Sequence, residues 1–193
     1  MDVIGLDLEL AYVEPRVKRS LTVPLTLRLD RLHLVIQAAM GWQNSHLYTF
    51  ETKEQTWAHP SFAEDGMGEY SPADKASLSD LMAKGGAKLF VYRYDMGDDW
   101  EHVIKLGKPA PAQQDQLYPR LSKIEGRCPP EDVGGPPGYD YFLQALADPK
   151  HPEHEELKQW HGSDFDPQMP NKDALSFEVL KLAQKWKPKA KKS

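Results

Sequence analysis

Residues 87–107 read AKLFVYRYDMGDDWEHVIKLG, and their reading decides the fold class. Two runs rich in aromatic and β-branched residues, AKLFVYRY and WEHVIKLG, flank a five-residue connection, DMGDD, that contains a glycine. That pattern predicts two antiparallel strands joined by a hairpin turn. Side chains alternate across a strand. Trp100, His102, Ile104 and Leu106 therefore share one face, and Glu101, Val103 and Lys105 share the other. The alternation splits what looks like an acid–histidine cluster: His102 goes with apolar neighbours and Glu101 points away from it. Asp95, Asp98 and Asp99 fall in the turn itself. Aspartate suits a turn because its carboxylate bonds nearby backbone amides and it tolerates left-handed dihedrals. Two other readings of the same aspartates stand beside this one. They form a carboxylate cluster for Mg²⁺, Mn²⁺ or Ca²⁺, since hard cations take several oxygen ligands, or they form a surface for a partner.

Working outward, VIGLDLELAYV (3–13) alternates, with Ile4, Leu6, Leu8 and Leu10 on one face and Asp7 and Glu9 on the other. It predicts a half-buried strand. VKRSLTVPL (17–25) predicts a second strand which, interrupted by Pro24, belongs at an edge; the two make a hairpin. Residues 27–40 carry Leu29, Leu32, Ile36, Ala39 and Met40 at helical spacing, with Thr26 as N-cap and Gly41 closing the C-terminus. His33 lies on that apolar stripe as a hydrogen-bonded core histidine. SHLYTFET (45–52) predicts a strand, residues 53–75 a long loop with room for a short strand or turn, and 75–84 a short helix. YPRLSKIEGRC (118–128) predicts a further strand. Helices follow at 139–147, at 152–160 and at 172–186, the last burying Leu175, Val179, Leu180, Ala183 and Trp186. No regular strand–helix–strand alternation and no internal repeat occurs. The order predicts an α+β fold, a largely antiparallel sheet with helices packed against it in a single domain. The domain spans 1–186, and 187–193 form a basic, flexible tail.

The chain of 193 residues is 40% hydrophobic and 27% charged, an ordinary soluble composition. One cysteine, Cys128, excludes an internal disulfide and any zinc site built mainly on thiolates. The acidic start and the lack of a long apolar run argue for a cytoplasmic protein without a membrane segment. Net charge is −5, and five lysines lie in the last nine residues, so the body carries about −10. Such a body is a poor nucleic-acid binder, leaving only a weak contact through the C-terminal lysines.

A second unusual stretch is GRCPPEDVGGPPGYDY (126–141), with four prolines and four glycines in sixteen residues. It predicts a rigid loop packed against the sheet and feeding a helix. Cys128, with no assigned base, reads as structural. His151, His154 and His161 lie near several glutamates but lack the HExxH spacing, and read as a solvated helix face.

LHLVIQAAMGWQNSHLYTF (32–50), YDMGDDWEHVIKL (94–106), residues 118–146 and WHGSDFDPQMPN (160–171), in this order, resemble the plasmid pRiA4b ORF-3-like family. Members of that family also go under a resolvase-like label, as passenger proteins of insertion elements. The resemblance covers residues 3–185. EPRVKRS (14–20) stands where the family has a tryptophan-bearing segment, so that tryptophan is missing here. The resemblance implies an α+β domain and an association with plasmids and mobile elements, but no reaction; no recombinase motif is present. The leading expectation is thus a non-enzymatic binding or accessory module for a protein or small ligand, needing no cofactor. Its surface would be built from His46, Asp95, Asp98, Asp99, Trp100, His102, Glu131, Asp132, Gly134, Gly135 and Tyr139. The alternative is a metal-dependent hydrolase acting on phosphodiesters. There Asp95, Asp98 and Asp132, helped by Asp99 and Glu131, hold Mg²⁺ or Mn²⁺, and His46 or His102 is the general base.

Overall fold

The structure is a computed structural model that describes residues 1–64, 70–85, 88–162 and 165–187. The residues beyond 187, with most of the expected basic tail, and residues 65–69 of the expected long loop lie outside the described residues. Among the described residues nine strands form one sheet. They are β1 (Asp2–Leu10), β2 (Lys18–Pro24), β3 (Tyr48–Glu51), β4 (Thr56–Ala58), β5 (Ser71–Pro72), β6 (Leu89–Tyr94), β7 (Trp100–Leu106), β8 (Ala110–Pro111) and β9 (Arg120–Glu125). Their order across the sheet is β5-β4-β3-β6-β7-β1-β2-β9, with β8 pairing the start of β1. All pairings are antiparallel except β4 with β5. The fold is α+β.

The β6–β7 hairpin stands at the centre, as the alternation predicts. Tyr94 pairs with Trp100, Tyr92 with His102 and Phe90 with Ile104. These residues are buried, as are Ile4, Leu6, Leu8 and Leu10 of β1. Each such apolar side chain contributes roughly 1.5–3 kcal/mol relative to exposure. The helices are α1 (Leu29–Met40), α2 (Ser61–Glu64), α3 (Leu78–Gly85), α4 (Gly135–Ala147), α5 (His154–His161) and α6 (Lys172–Lys185). Leu32, Val35 and Ile36 of α1, Leu78 and Leu81 of α3, Tyr139 and Phe142 of α4, and Val179 of α6 join the same core as the sheet's inner face. The other face is polar: Arg93 there pairs with Glu51, Asp99 and Glu101.

Several expectations are corrected. β2 is not an edge, because β9 pairs along its outer side. Pro24 is the last residue of the strand, where a missing N–H interrupts little of the ladder. Thr26 does not cap α1. The helix begins after Arg28, and the Leu29 amide donates to Ala76 O at 2.9 Å, so a distant segment does the capping. Residues 53–75 hold more than the single short strand or turn expected in that loop: β4, α2, β5 and a 3₁₀ turn, Ala73–Lys75. α4 starts four residues earlier than its apolar pattern, with prolines at its first positions, where a missing N–H costs nothing. On α6, Val179 and Ala183 are buried but Leu180 is exposed.

Candidate functional site at the turn–loop seam

The hairpin turn is locked by its own aspartates. Asp95 has φ +59°, and its Oδ1 accepts the Gly97 N–H at 2.9 Å while its carbonyl accepts the Asp99 N–H at 2.7 Å. Its own N–H donates to Leu47 O at 3.0 Å, tying the turn to the entry of β3. Asp99, also at positive φ, turns back onto Arg93. Three oxygens of two aspartates are thus used to shape the backbone or hold a cation of the sheet.

The 126–138 segment then docks on this turn. The Trp42 indole N–H donates to Pro129 O at 2.9 Å. Glu131 accepts the Gln43 N–H at 2.9 Å and the Tyr94 hydroxyl. That hydroxyl in turn accepts the N–H groups of Ser45 and His46 at 2.9 and 3.3 Å. Burial, helped by the Glu131 carboxylate, raises the Tyr94 pKa, so the phenol stays a donor. Asp98 Oδ2 accepts the Gly134 N–H at 3.2 Å. At Gly135 the backbones themselves meet: a Cβ there would lie 2.4 Å from Asp98 O. Only glycine allows this approach, at a φ of +67°.

Docking brings three donor atoms together from three distant parts of the chain. His46 Nε2 lies 2.9 Å from Asp132 Oδ1 and 3.5 Å from Asp95 Oδ2. The three atoms fall within 4.8 Å of one another, and no other group of three or more potential metal ligands occurs among the described residues. Adjacent ligands around an octahedral ion at about 2.1 Å are separated by about 3.0 Å, so the spacing fits a shared ion. Asp95 is buried, His46 half-buried and Asp132 exposed, so the site opens to solvent on one side. Asp132 sits at φ +60°.

The sequence-predicted residues therefore part company. His46, Asp95 and Asp132 converge. Asp98, expected to share an ion with them, caps a backbone amide instead. Glu131 and Asp99 are committed to Tyr94 with Gln43 and to Arg93. Trp100, His102 and Tyr139 are corrections, for they lie in the core at 1%, 0% and 1% exposure and form no surface. His102 Nδ1 donates towards Trp100 O and Tyr92 O at 3.2 and 3.3 Å, leaving Nε2 a buried acceptor without a partner among the described residues. Burial pushes its pKa down to about 4, so it is neutral and sealed from any substrate. Cys128 is buried with its thiol pKa raised by that burial. His154 Nδ1 donates to Ala145 O at 2.8 Å, a structural contact. Sequence reasoning missed Tyr94 as the post between strand and loop, and Trp42 as the clamp on Pro129. Their partners lie 37 and 87 positions away, beyond any local pattern.

Comparison with other proteins bears on this arrangement. The pattern of the family described as plasmid pRiA4b ORF-3-like protein matches residues 2–174. The chain belongs to the plasmid pRiA4b ORF-3-like family. The turn and the docked loop both lie within that matched region. The chain is similar to the uncharacterized protein y4hQ of Sinorhizobium fredii, 47% identical over 191 residues, 98% of this chain and 97% of that protein. It is also similar to a crystal structure of a protein of unknown function, MM3350, from Methanosarcina mazei Go1. The TM-score there is 0.78 at 32% identity, covering 89% of this chain and 97% of that one. Neither relative has an assigned reaction. No helix among the described residues is long and apolar enough to cross a membrane.

Proposed function

We propose that this pRiA4b ORF-3-like protein is a binding module whose ligand surface is the seam between turn 95–99 and the 126–138 segment. Its ligand is a cation, in the first place one divalent ion held by His46 Nε2, Asp95 Oδ2 and Asp132 Oδ1. The observation that carries this reading is the convergence of those three atoms within 4.8 Å at an open edge. One imidazole and two carboxylates suit Mn²⁺ or Zn²⁺ better than Mg²⁺ or Ca²⁺, which prefer all-oxygen shells. The remaining positions go to water or to an oxygen of a partner. The carboxylates of Asp98, Asp99 and Glu131 favour cations near the seam while being held by protein donors. A hydrolytic reading loses the bases proposed for it from the sequence. His46 is taken as a ligand, and His102 is buried.

Calorimetric titration of the metal-free protein with MnCl₂ and ZnCl₂ tests this. One equivalent is expected to bind wild type, with at least tenfold weaker binding for Asp132→Asn and for His46→Gln. Both variants change exposed or half-exposed side chains and should keep the fold. Absence of binding, or equal binding in the variants, would overturn the cation site and leave His46–Asp132 as an ordinary polar contact.

A further inference from the structure

Between the start of α1, the end of α6 and residues 116–118 lies a small cavity of about 210 Å³. Sites for drug-sized ligands measure about 300–1,000 Å³, so this one suits a smaller molecule. Leu27, Leu117, Tyr118 and Trp186 supply apolar walls, and Arg28, Arg31 and Lys187 supply charge. No aspartate or glutamate is among the lining residues, although the chain as a whole carries −5.

Arg31 decides what the cavity can take. It is exposed, and its guanidinium lies over the Trp186 ring, 5.1 Å from the centroid. Stacking uses the face of a guanidinium and leaves its N–H edge able to donate. Arg16, Arg28 and Arg93 each meet a carboxylate; among the described residues Arg31 meets none. The nearest acid in sequence, Asp30, is already engaged, because Arg28 donates to both its oxygens at 3.0 and 2.6 Å. Arg28 and Arg31, three positions apart, are like charges on neighbouring positions of one helix flank, which repel. The residues after Lys187, PKAKKS, bring no acidic side chain either.

We propose that this cavity binds a small carboxylate with a short apolar body. The carboxylate takes two parallel N–H bonds from the fork of Arg31, and the body packs on Trp186, Leu117 and Tyr118. Lys187, also exposed, adds a second positive charge. The apolar walls disfavour a bare inorganic anion, which would lose its water against them and gain no apolar contact in return. None of the lining residues belongs to the turn–loop seam, so the inference does not rest on the cation site.

The test is ¹H–¹⁵N NMR of the full chain at neutral pH, with isovalerate as probe, isovaleramide as its uncharged counterpart and inorganic phosphate as the bare anion. Isovalerate is expected to shift the indole N–H signal of Trp186 and to leave those of Trp42, Trp57, Trp100 and Trp160 in place. The amide is expected to bind about tenfold more weakly, the loss of a charge-assisted hydrogen bond. Phosphate is expected to leave the Trp186 signal in place. Arg31→Gln changes an exposed side chain and should keep the fold while abolishing the preference for the acid over the amide. No Trp186 shift with isovalerate, equal binding of acid and amide, the same shift with phosphate, or a preference for the acid that survives in Arg31→Gln would each overturn the assignment.

Discussion

Replacing Gly135 with alanine separates close backbone contact from backbone conformation, because Gly134 beside it is a built-in control. Both glycines sit at positive φ, +67° and +92°. Alanine at either costs about 1–2 kcal/mol for the left-handed region, and both changes restrict the unfolded chain to the same extent. They differ in what the new methyl meets. At position 134 the nearest atom is Gly138 Cα at 3.5 Å, an ordinary contact. At position 135 it is Asp98 O at 2.4 Å, with the carbonyl carbon at 3.2 Å. Backbone cannot rotate away as a side chain does, so the turn and loop must part, adding about 1–3 kcal/mol as overpacking does. Gly134→Ala should therefore lose about 1–2 kcal/mol and Gly135→Ala about 2–5 kcal/mol. At about 2–4 °C per kcal/mol for a chain of this size, the two melting temperatures should differ by several degrees. Thermal unfolding of the three proteins measures that difference, and urea unfolding followed by tryptophan fluorescence measures the free energies. Equal losses in the two variants would refute the claim that turn and loop are packed backbone to backbone.

Three further outcomes are expected. Burial pushes His33 and His102 down to about 4 from an ordinary 6.5. Between those values the unfolded chain binds the protons and the folded chain does not, so stability is full above pH 6.5 and falls as pH drops towards 4. The loss is on the order of 3 kcal/mol per histidine, and pH-dependent urea midpoints that stay flat over this window would contradict it. Cys128 should resist iodoacetamide in the native protein and react once unfolded, as mass spectrometry will show; rapid native labelling would contradict its burial. Asp98→Asn keeps an oxygen for the Gly134 amide and should change both stability and Mn²⁺ affinity little. Asp98→Ala should lose about 0.5–1.5 kcal/mol with affinity intact, and a large loss of affinity would place Asp98 among the ion's ligands.

Much of the fold was legible wherever the signal is local. Alternation through residues 87–107 reveals the central hairpin, correctly sends His102 inward and Glu101 outward, and periodicity marks α1. What escaped depends on partners far along the chain. Pro24 suggests an edge, but β9 arrives about a hundred residues later to cover β2. Thr26 looks like a cap, but Ala76 O does the capping. The Gly-Gly-Pro-Pro run reads as loop although its prolines begin α4. The site shows the same division. Composition points to the acidic turn and to Glu131 and Asp132, and the family resemblance to His46. Which carboxylates are already engaged is a matter of long-range pairing: Asp98 with Gly134, Glu131 with Tyr94 and Gln43. Arg19 is buried in β2: alternation with Leu21 and Val23 places it inside, but its residue type argues for the surface.

The most direct test of the seam as a cation site is a crystal soaked in MnCl₂ and measured at the manganese absorption edge. The expected result is one anomalous peak about 2.1–2.3 Å from His46 Nε2, Asp95 Oδ2 and Asp132 Oδ1, absent in Asp132→Asn crystals. A seam without a peak, with His46 and Asp132 in direct contact, would contradict the account.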